Sequence, residues 1–310
     1  MILSCLAAAA ATSTPLVPAP QLPLLPRELL TSPDAKSSLN VLDLDLDGHL
    51  DAVYLGNDSD SIPRRLMVHW GLGGGDFERS TELAIGVDMA SGVVKEDIDG
   101  DLDDDLVIEE LATGQLYAVL NEGHREGWVL QPLVQIEPAD WTYEFLDVDG
   151  DGDRDIVARR HFPSSLSFEP YLFDRTGPTS FAPAVPMLPA GSVFDKMAFG
   201  DFDGDGDIDL AAGFSQNNRY RIYQYVNSGV LPMGSATLVE VAATFDFYRE
   251  WLAHDVDGDS DVDLIISSAF NSGVSVSLFR NQGGTLMPRE PQASVANFGP
   301  MEVRDTKGTG

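Results

Sequence analysis

The segment Phe199–Leu210 reads FGDFDGDGDIDL and carries aspartates at positions 1, 3, 5 and 9 of a nine-residue pattern that begins at Asp201. The same pattern occurs five times in this chain of 310 residues, and its first aspartates are 50 or 54 residues apart. A sixth copy begins at Asp305 but has Lys307 and Thr309 where acids are expected, so we expect it to bind no metal. A period of about 50 residues corresponds to one small β-sheet, and the sequence therefore predicts a series of similar sheets.

The spacing of the aspartates predicts a calcium site in each copy. Hard divalent cations take oxygen ligands, and a tight loop can aim alternate side chains at one point where a glycine such as Gly206 allows the turn. Without a cation, the clustered carboxylates would repel one another. Zinc does not suit these loops because they contain no thiol and only one imidazole, that of His49. Magnesium is a weaker candidate because it prefers fewer carboxylates and retained water.

We therefore predict up to five Ca²⁺ ions, one in each of five loops that we number 1 to 5 along the chain. The predicted side-chain ligands are Asp43, Asp45, Asp47 and Asp51 in loop 1; Asp97, Asp99, Asp101 and Asp105 in loop 2; Asp147, Asp149, Asp151 and Asp155 in loop 3; Asp201, Asp203, Asp205 and Asp209 in loop 4; and Asp255, Asp257, Asp259 and Asp263 in loop 5. The predicted backbone ligand is the carbonyl of position 7, which belongs to His49, Asp103, Asp153, Asp207 and Asp261.

Two other interpretations of the acidic pattern fit less well. An EF-hand loop also begins with acids at positions 1, 3 and 5, but it needs a bidentate acid at position 12. Position 12 is occupied here by Tyr54, Ile108, Ala158, Ala212 and Ile266. A disordered acidic segment would have low hydrophobicity, whereas each loop runs into a short apolar stretch such as Leu264–Ile266. Such stretches are typical of buried strands.

The residues around each loop predict a four-stranded unit. Positions −4 and −2 are apolar in nearly every copy, as in Leu39 and Val41, and predict one face of a strand before the loop. The apolar strand follows the loop, and a third strand ends in an Asn-x-Gly turn such as Asn227–Gly229. The fourth strand is predicted to start near Phe77, Trp128 and Phe181. One sheet of this size cannot bury both faces, so radial packing as a β-propeller is the predicted architecture.

Segments such as Phe199–Leu210 and Val276–Gly284 resemble the FG-GAP and VCBS repeats, the blades of the integrin α-subunit head and of many bacterial surface proteins. The resemblance covers residues 39–310. It implies an all-β fold, a β-propeller of four-stranded antiparallel blades that usually number about seven, of which about five to six lie in this chain. It also implies calcium in the loop that joins the first two strands of a blade.

The chain departs from the repeat pattern in two loops most of all. Leu102 and Ser260 replace the glycine at position 6, and Asp104 and Arg154 replace the usual apolar residue at position 8. Loop 2 combines two of these departures. We therefore expect the second site to be the weakest or most distorted.

Composition limits the choice of partners. The chain has 50 acidic and 19 basic residues and a formal net charge of −31. So acidic a surface repels nucleic acid and anionic membranes, which excludes both as partners. Cys5 is the single cysteine, so no disulfide forms within the chain, and bound metal would take over that stabilising role.

The sequence divides into three predicted regions. Residues 1–14 contain the apolar run Ile2–Ala11, which is too short to span a bilayer and resembles the hydrophobic part of a secretory signal, although no basic residue precedes it. Cys5 also fits a lipoprotein cleavage box and would then carry a lipid anchor. Residues 15–38 form a proline-rich linker, and residues 39–310 form a propeller that is truncated at its carboxyl end. We expect an exported protein, extracellular or at the cell surface, with no transmembrane span.

The leading functional hypothesis is a calcium-stabilised binding or adhesion module that attaches to a protein or glycan through the propeller face opposite the calcium loops. The candidates for that face are aromatic residues just before the first strand of each blade: Trp141, Phe194, Phe247, Tyr248 and Phe298. Aromatic residues at these positions also fit the core between blades.

Two other functions fit the same sequence. The propeller domain of an extracellular polysaccharide-acting enzyme would need an acid, base or nucleophile outside the calcium loops. Of the five histidines only His161, beside Arg159 and Arg160, breaks the repeat pattern, and a solvated loop explains it as well. We predict no catalytic residue, since no nucleophile elbow, His-Glu-x-x-His helix or phosphate loop is present. A structural spacer within a longer surface protein is the third hypothesis.

Overall fold

A computed structural model describes residues 39–56, 65–88, 93–110, 112–126, 128–136, 142–162, 167–217, 219–234, 236–243, 247–270 and 273–295. Every regular element within these residues is a β-strand. The predicted regions 1–14 and 15–38, with Cys5, lie outside the described residues, as does the sixth copy at Asp305. In the described part of the chain, no helix has the length and apolar character that crossing a bilayer requires.

The described residues form 24 short strands. In chain order they are β1 (Asn40–Leu42), β2 (Asp51–Gly56), β3 (Arg65–His69), β4 (Gly71–Gly73), β5 (Asp76–Phe77), β6 (Thr81–Glu82), β7 (Val94–Glu96), β8 (Asp105–Glu109), β9 (Gln115–Val119), β10 (Leu130–Gln135), β11 (Thr142–Leu146), β12 (Asp155–Phe162), β13 (Ser167–Phe173), β14 (Arg175–Gly177), β15 (Ser180–Phe181), β16 (Val185–Pro186), β17 (Lys196–Gly200), β18 (Asp209–Gln216), β19 (Arg219–Tyr225), β20 (Thr237–Ala243), β21 (Phe247–His254), β22 (Asp263–Phe270), β23 (Gly273–Phe279) and β24 (Glu290–Val295).

Twenty of these strands build five four-stranded antiparallel sheets, which are the blades of a β-propeller. Their strand orders are β1-β2-β3-β6, β7-β8-β9-β10, β11-β12-β13-β16, β17-β18-β19-β20 and β21-β22-β23-β24. Each blade is a simple up-and-down meander, so its four strands come from one continuous stretch of about 50 residues. The predicted four-stranded unit is confirmed, and we number the blades 1 to 5 with their loops.

Blades 1 and 3 contain an additional small hairpin that the sequence did not reveal. The hairpins β4–β5 and β14–β15 stand between the third and fourth strands of these blades. The prediction that a fourth strand starts near Phe77 and Phe181 is wrong, because these residues lie in β5 and β15 instead. Trp128 lies two residues before β10, as predicted for blade 2.

The hydrophobic core lies between neighbouring blades rather than within one. On β12, Ile156 and Ala158 pack into a cluster with Val107 of blade 2. The residue between them, Val157, packs into a second cluster with Leu210 of blade 4. Because side chains alternate across a strand, a continuous apolar run is buried on both faces of a blade that stands between two others.

The strand before the first loop differs from its prediction. Leu39 and Val41 are 42% and 37% exposed, whereas Leu42 and Leu44 are 2% and 0% exposed and join the core shared with blade 2. The buried set is therefore displaced by one residue in blade 1, and a shift of one residue exchanges the two faces of a strand.

Candidate metal centres

Each acidic loop is the connection between the first and second strands of its blade. In blade 4 the last paired residues are Gly200 and Asp209, so positions 1 to 8 of the pattern lie between β17 and β18. In every described blade, the residue before the loop pairs with the position-9 aspartate: Leu42 with Asp51, Glu96 with Asp105, Leu146 with Asp155, Gly200 with Asp209 and His254 with Asp263. The pairing places all five loops at the same end of their blades.

A left-handed residue at position 6 gives each loop its turn. The φ angle there is +89° in Gly48, +95° in Gly152 and +101° in Gly206. Leu102 and Ser260 adopt the same conformation, with φ of +80° and +76°. The backbone distortion expected at loop 2 is therefore not seen at this position, and a weaker second site stays a prediction.

The position-6 peptide closes the loop onto the first aspartate. Its N–H donates to Oδ2 of the position-1 aspartate over 2.9–3.1 Å in all five loops. Position 4 is also left-handed in every loop, in Leu46, Gly100, Gly150, Gly204 and Gly258. The repeated glycine at position 4 is a sequence signal for this second turn, which was not predicted.

Each loop brings three carboxylates together. One oxygen from each of three aspartates lies within 4.8 Å of the other two, and the aspartates at positions 1 and 3 belong to every such cluster. The third member is position 9 in loops 1 and 4, and position 5 in loops 2, 3 and 5. The clusters are Asp43, Asp45 and Asp51; Asp97, Asp99 and Asp101; Asp147, Asp149 and Asp151; Asp201, Asp203 and Asp209; and Asp255, Asp257 and Asp259. An all-oxygen donor set of this kind suits Ca²⁺.

The other predicted ligands lie beside these clusters. The aspartates outside the three-oxygen sets are Asp47, Asp105, Asp155, Asp205 and Asp263. At position 7 the N–H of the residue donates to Oδ1 of the position-5 aspartate over 2.9–3.2 Å in all five loops. The residues concerned are His49, Asp103, Asp153, Asp207 and Asp261, and coordination by their carbonyls stays a prediction.

The position-9 aspartate ties the loop to the rest of its blade. In blade 4, Oδ2 of Asp209 accepts the N–H of Phe202 at 2.9 Å, and Oδ1 accepts the N–H of Asn227 at 2.7 Å. The same two bonds occur in every blade: one at 2.8–3.2 Å from the N–H of position 2, and one at 2.7 Å from the N–H of the second residue after the third strand. A carboxylate with both oxygens bonded to buried main chain cross-links three segments of the blade.

The second residue after the third strand also holds the neighbouring blade. Nδ2 of Asn227 donates to the carbonyl of Val148 in loop 3 at 3.0 Å and to that of Ile208 in its own loop at 3.3 Å. Asn121 and Asn281 make the equivalent pairs of bonds. In blade 3 the guanidinium of Arg175 donates to the carbonyl of Ile98 in loop 2 instead. From the sequence these asparagines were predicted only to form turns, and their hydrogen bonds to the neighbouring blade were not predicted.

Burial and mutual repulsion shift the acid equilibria in the loops. Burial raises the pKa of Asp105, Asp155 and Asp209 to about 6, although backbone N–H bonds oppose the shift. Burial, together with the neighbouring charge of Asp101, raises the pKa of Asp103 to about 7. Burial and the charge of the position-5 aspartate in the same loop raise the pKa of the position-3 aspartates Asp99, Asp149 and Asp203. The metal-free loops thus hold carboxylates that resist full ionisation.

Some loop oxygens are shielded from solvent without a hydrogen-bond donor. Within the described residues they are Oδ1 of Asp103 in loop 2 and Oδ1 of Asp147 and of Asp153 in loop 3. Buried carboxylate oxygens normally accept a hydrogen bond or coordinate a metal. The donor set and these oxygens therefore fit a hard cation.

A polar cleft of about 380 Å³ lies between loops 2 and 3. It is lined by Glu96 at the end of β7, by Asp99 of loop 2, by Arg154 of loop 3 and by Arg175. Arg154 donates to the nearly buried Glu96 carboxylate over 2.9 Å, and burial raises the pKa of Glu96 against the influence of that arginine. A cleft of a few hundred Å³ is of the size that small ligands occupy.

The aromatic residues predicted for the opposite face have different outcomes. Phe194 is 2% exposed and packs edge to face against Phe214 and Tyr225, so its assignment to a binding face is wrong and it belongs to the core. Trp141 and Phe298 lie outside the described residues. Phe247 and Tyr248 lie in β21, and His161 lies in β12, but their side chains are not among those described.

Comparison with protein families confirms the resemblance to FG-GAP repeats. Residues 147–212, from the first aspartate of loop 3 into β18, match the model of an FG-GAP-like repeat. The segment contains two complete acidic loops and most of one blade. No curated protein matches the chain.

Comparison with solved structures finds other propellers. A lectin from Agrocybe aegerita, described for its specific recognition of non-reducing terminal N-acetylglucosamine, is 17% identical with a TM-score of 0.56. The match covers 82% of this chain and 65% of the lectin chain, so this chain spans less than two thirds of that length. The Dos1 propeller matches with a TM-score of 0.44 and 10% identity, over 84% of this chain and 63% of the other. At this level of identity the likeness to the lectin shows the fold alone.

Proposed function

We propose that this chain is a calcium-stabilised β-propeller that acts as an exported module for binding or adhesion to a glycan or a protein. The observation that carries the proposal is the three-oxygen cluster that recurs in each of the five described loops. The shielded Oδ1 atoms of Asp103 in loop 2 and of Asp147 and Asp153 in loop 3, which accept no hydrogen bond, support cations at these two loops. The likeness of the fold to that of a lectin supports a binding role.

Bound calcium would supply the positive charge that the clustered carboxylates lack. The aspartates at positions 1 and 3 would hold the ion in every loop, together with position 5 or position 9. Calcium sites in extracellular modules have dissociation constants of roughly 10⁻⁴–10⁻³ M. At about ten times that concentration each site would stabilise the fold by about 1.4 kcal/mol, and five sites together would match the ~5–15 kcal/mol net stability of an ordinary domain.

The calcium part of the proposal is tested by thermal unfolding of the full chain. Metal-free protein is melted in buffer alone, with calcium, and with magnesium at the same concentration. We expect a marked rise in melting temperature with calcium, a smaller one with magnesium, and about five calcium ions per chain by elemental analysis. Equal melting temperatures, with no metal retained, would exclude calcium as the stabilising ligand.

The cleft between loops 2 and 3 is the best-supported location for a glycan or protein ligand. Guanidinium and carboxylate groups, as in Arg154 and Glu96, are suited to hydrogen-bond the hydroxyl groups of a sugar or the polar groups of a peptide. The opposite face stays a second candidate through Phe247 and Tyr248.

Binding is tested with the calcium-loaded full chain on a glycan array and in a pull-down of extracellular proteins. We expect a glycan or protein signal that falls in Arg154→Ala but not in the control Arg65→Ala. The control removes the ion pair between Arg65 of β3 and Glu82 of β6 in blade 1. A signal that falls only in Phe247→Ala would move the site to the opposite face. Turnover of polymeric sugars would indicate an enzyme, and neither binding nor turnover would indicate a spacer. Recovery of the protein from the medium or the cell surface tests export.

A further inference from the structure

Arg125, at the turn after the third strand of blade 2, reaches into loop 1 of blade 1. Its Nε donates to Oδ2 of Asp45, a member of the loop 1 cluster, and its NH2 lies 3.6 Å from Oδ2 of Asp47. The Asp45 side chain is only 7% exposed. A protein cation therefore already contacts a carboxylate that calcium would need.

Other contacts hold this arginine in place. Its NH1 donates to Oε1 of Glu78 at 2.9 Å, and its Cζ lies 4.7 Å from the centroid of the Trp70 ring. A guanidinium with two carboxylate partners and an aromatic face is fixed in geometry rather than free to withdraw. The charge of Arg125 is permanent, because an arginine guanidinium is not deprotonated in proteins.

In loop 5 an arginine of the same blade contacts the corresponding aspartate. NH1 of Arg280, the residue after β23, contacts Oδ2 of Asp257, which is the position-3 aspartate of loop 5. Loops 2, 3 and 4 differ, since within the described residues no arginine or lysine contacts their position-3 aspartates Asp99, Asp149 and Asp203. The lysine near loop 2, Lys95, pairs with Asp104 at position 8, outside the cluster.

We propose that Arg125 and Arg280 compete with calcium and divide the five loops into two classes, with loops 2, 3 and 4 filling first and loops 1 and 5 filling last. For loop 2 this is the opposite of the expectation from its departures at positions 6 and 8, and a calcium titration decides between the two. The inference rests on the proposed calcium function. A cation placed against the ligand set lowers the negative potential at the site and must give up a charge-assisted hydrogen bond when calcium takes the same oxygen. A bond of that kind corresponds to about a tenfold difference in calcium affinity.

The experiment is a calcium titration of the metal-free full chain against a chromophoric chelator. We expect three tighter sites and two about tenfold weaker ones. Arg280→Ala should convert one weak site into a tight one, Arg125→Ala should do the same at loop 1, and the double variant should show five tight sites. Arg65→Ala, which removes an arginine–glutamate pair of blade 1 away from the loop clusters, should leave the titration unchanged.

Both Arg125→Ala and Arg280→Ala are measured so that a folding defect in one variant does not decide the result. Arg125 spans two blades, so its removal can weaken the blade junction, whereas Arg280 acts on the loop of its own blade and carries the test alone if needed. Five equivalent sites in the unaltered chain, or weaker calcium binding in Arg280→Ala, would overturn the inference and leave the proposed function in place. Absence of calcium binding in every protein would instead remove the proposed function.

Discussion

The end and the tip of each acidic loop carry the same residue in opposite environments. At position 9 the aspartate is 0–1% exposed in all five loops, and its oxygens accept N–H groups from two separate segments of the blade. At position 5 the aspartate is exposed in all five loops and accepts the N–H of position 7 within the same loop. One repeated acidic pattern thus combines a buried aspartate that builds the blade, and that also joins the three-oxygen cluster in loops 1 and 4, with an exposed aspartate at the loop tip.

The largest expected effect separates these two kinds of aspartate in the absence of metal. Asp209→Ala leaves the N–H groups of Phe202, Asp203 and Asn227 without their acceptor. We expect it to lower the free energy of unfolding by about 3 kcal/mol, because each unsatisfied buried N–H is unfavourable by ~1–3 kcal/mol. The measurement is urea denaturation of metal-free protein at pH 7.

The matched variant is Asp205→Ala in the same loop. Asp205 is exposed and loses only a local bond, so we expect a change within about 0.5 kcal/mol without metal. With calcium present, the same variant should lose part of the calcium-dependent rise in stability, because Asp205 is a predicted ligand beside the three-oxygen cluster of loop 4. Equal losses for the two variants in metal-free protein would show that the buried aspartate has no separate structural role.

The next largest expected effect concerns the side-chain hydrogen bonds that join neighbouring blades. Asn227→Ala keeps the main-chain bond to Asp209 but removes the side-chain bonds to the carbonyls of Val148 and Ile208. We expect a loss of about 2 kcal/mol in the free energy of unfolding, measured in the same way. Ser228→Ala, at the exposed neighbouring position, is the control and should be neutral. A neutral Asn227→Ala would mean that the blades are held by their apolar core alone.

The sequence predicted those parts of the fold that depend on local pattern. Four aspartates and a glycine within nine residues define a loop by themselves, and the apolar run after the loop defines the buried strand, as in Leu264–Ile266. The repeat of this unit then predicts the propeller, because identical small sheets have few other ways to bury two faces. These predictions were confirmed for all five described blades.

The parts that the sequence did not predict depend on contacts across long separations. Asn227 and Val148 are 79 residues apart, and nothing in a turn motif announces that its side chain binds the preceding loop. Leu39 and Val41 were predicted to share an apolar strand face because positions −4 and −2 are apolar in nearly every copy, yet both are exposed in blade 1 while Leu42 and Leu44 are buried. The role of each aspartate likewise depends on which N–H groups surround it after folding.

A smaller effect uses pH to test the buried end of the loop. Burial raises the pKa of Asp105, Asp155 and Asp209 to about 6, above the ordinary value of 3.8. The folded state therefore binds protons more tightly than the unfolded state, and this stabilisation is present at about pH 4 and is lost as the pH rises through about 6. We expect metal-free protein to melt about 3 °C higher at pH 5 than at pH 7.

Calcium should reverse this order, because the ion binds the deprotonated carboxylates. Asp209→Ala should show a smaller rise between pH 7 and pH 5 than the unaltered metal-free chain. A melting temperature of metal-free protein that is the same at both pH values would indicate that the position-9 carboxylates are not raised in pKa.

The smallest expected effect concerns the backbone at the tip of loop 2. Leu102 has φ of +80° and is 92% exposed, so it holds a left-handed conformation without burying its side chain. Leu102→Gly removes a steric penalty of ~1–2 kcal/mol but adds flexibility to the unfolded chain worth ~0.4–1 kcal/mol, which leaves a gain of about 0.5 kcal/mol. Urea denaturation measures this gain, and Ser260→Gly at the same position of loop 5, with φ of +76°, should give a similar one. A loss of stability in both variants would mean that the side chain at the loop tip, and not only its backbone, supports the turn.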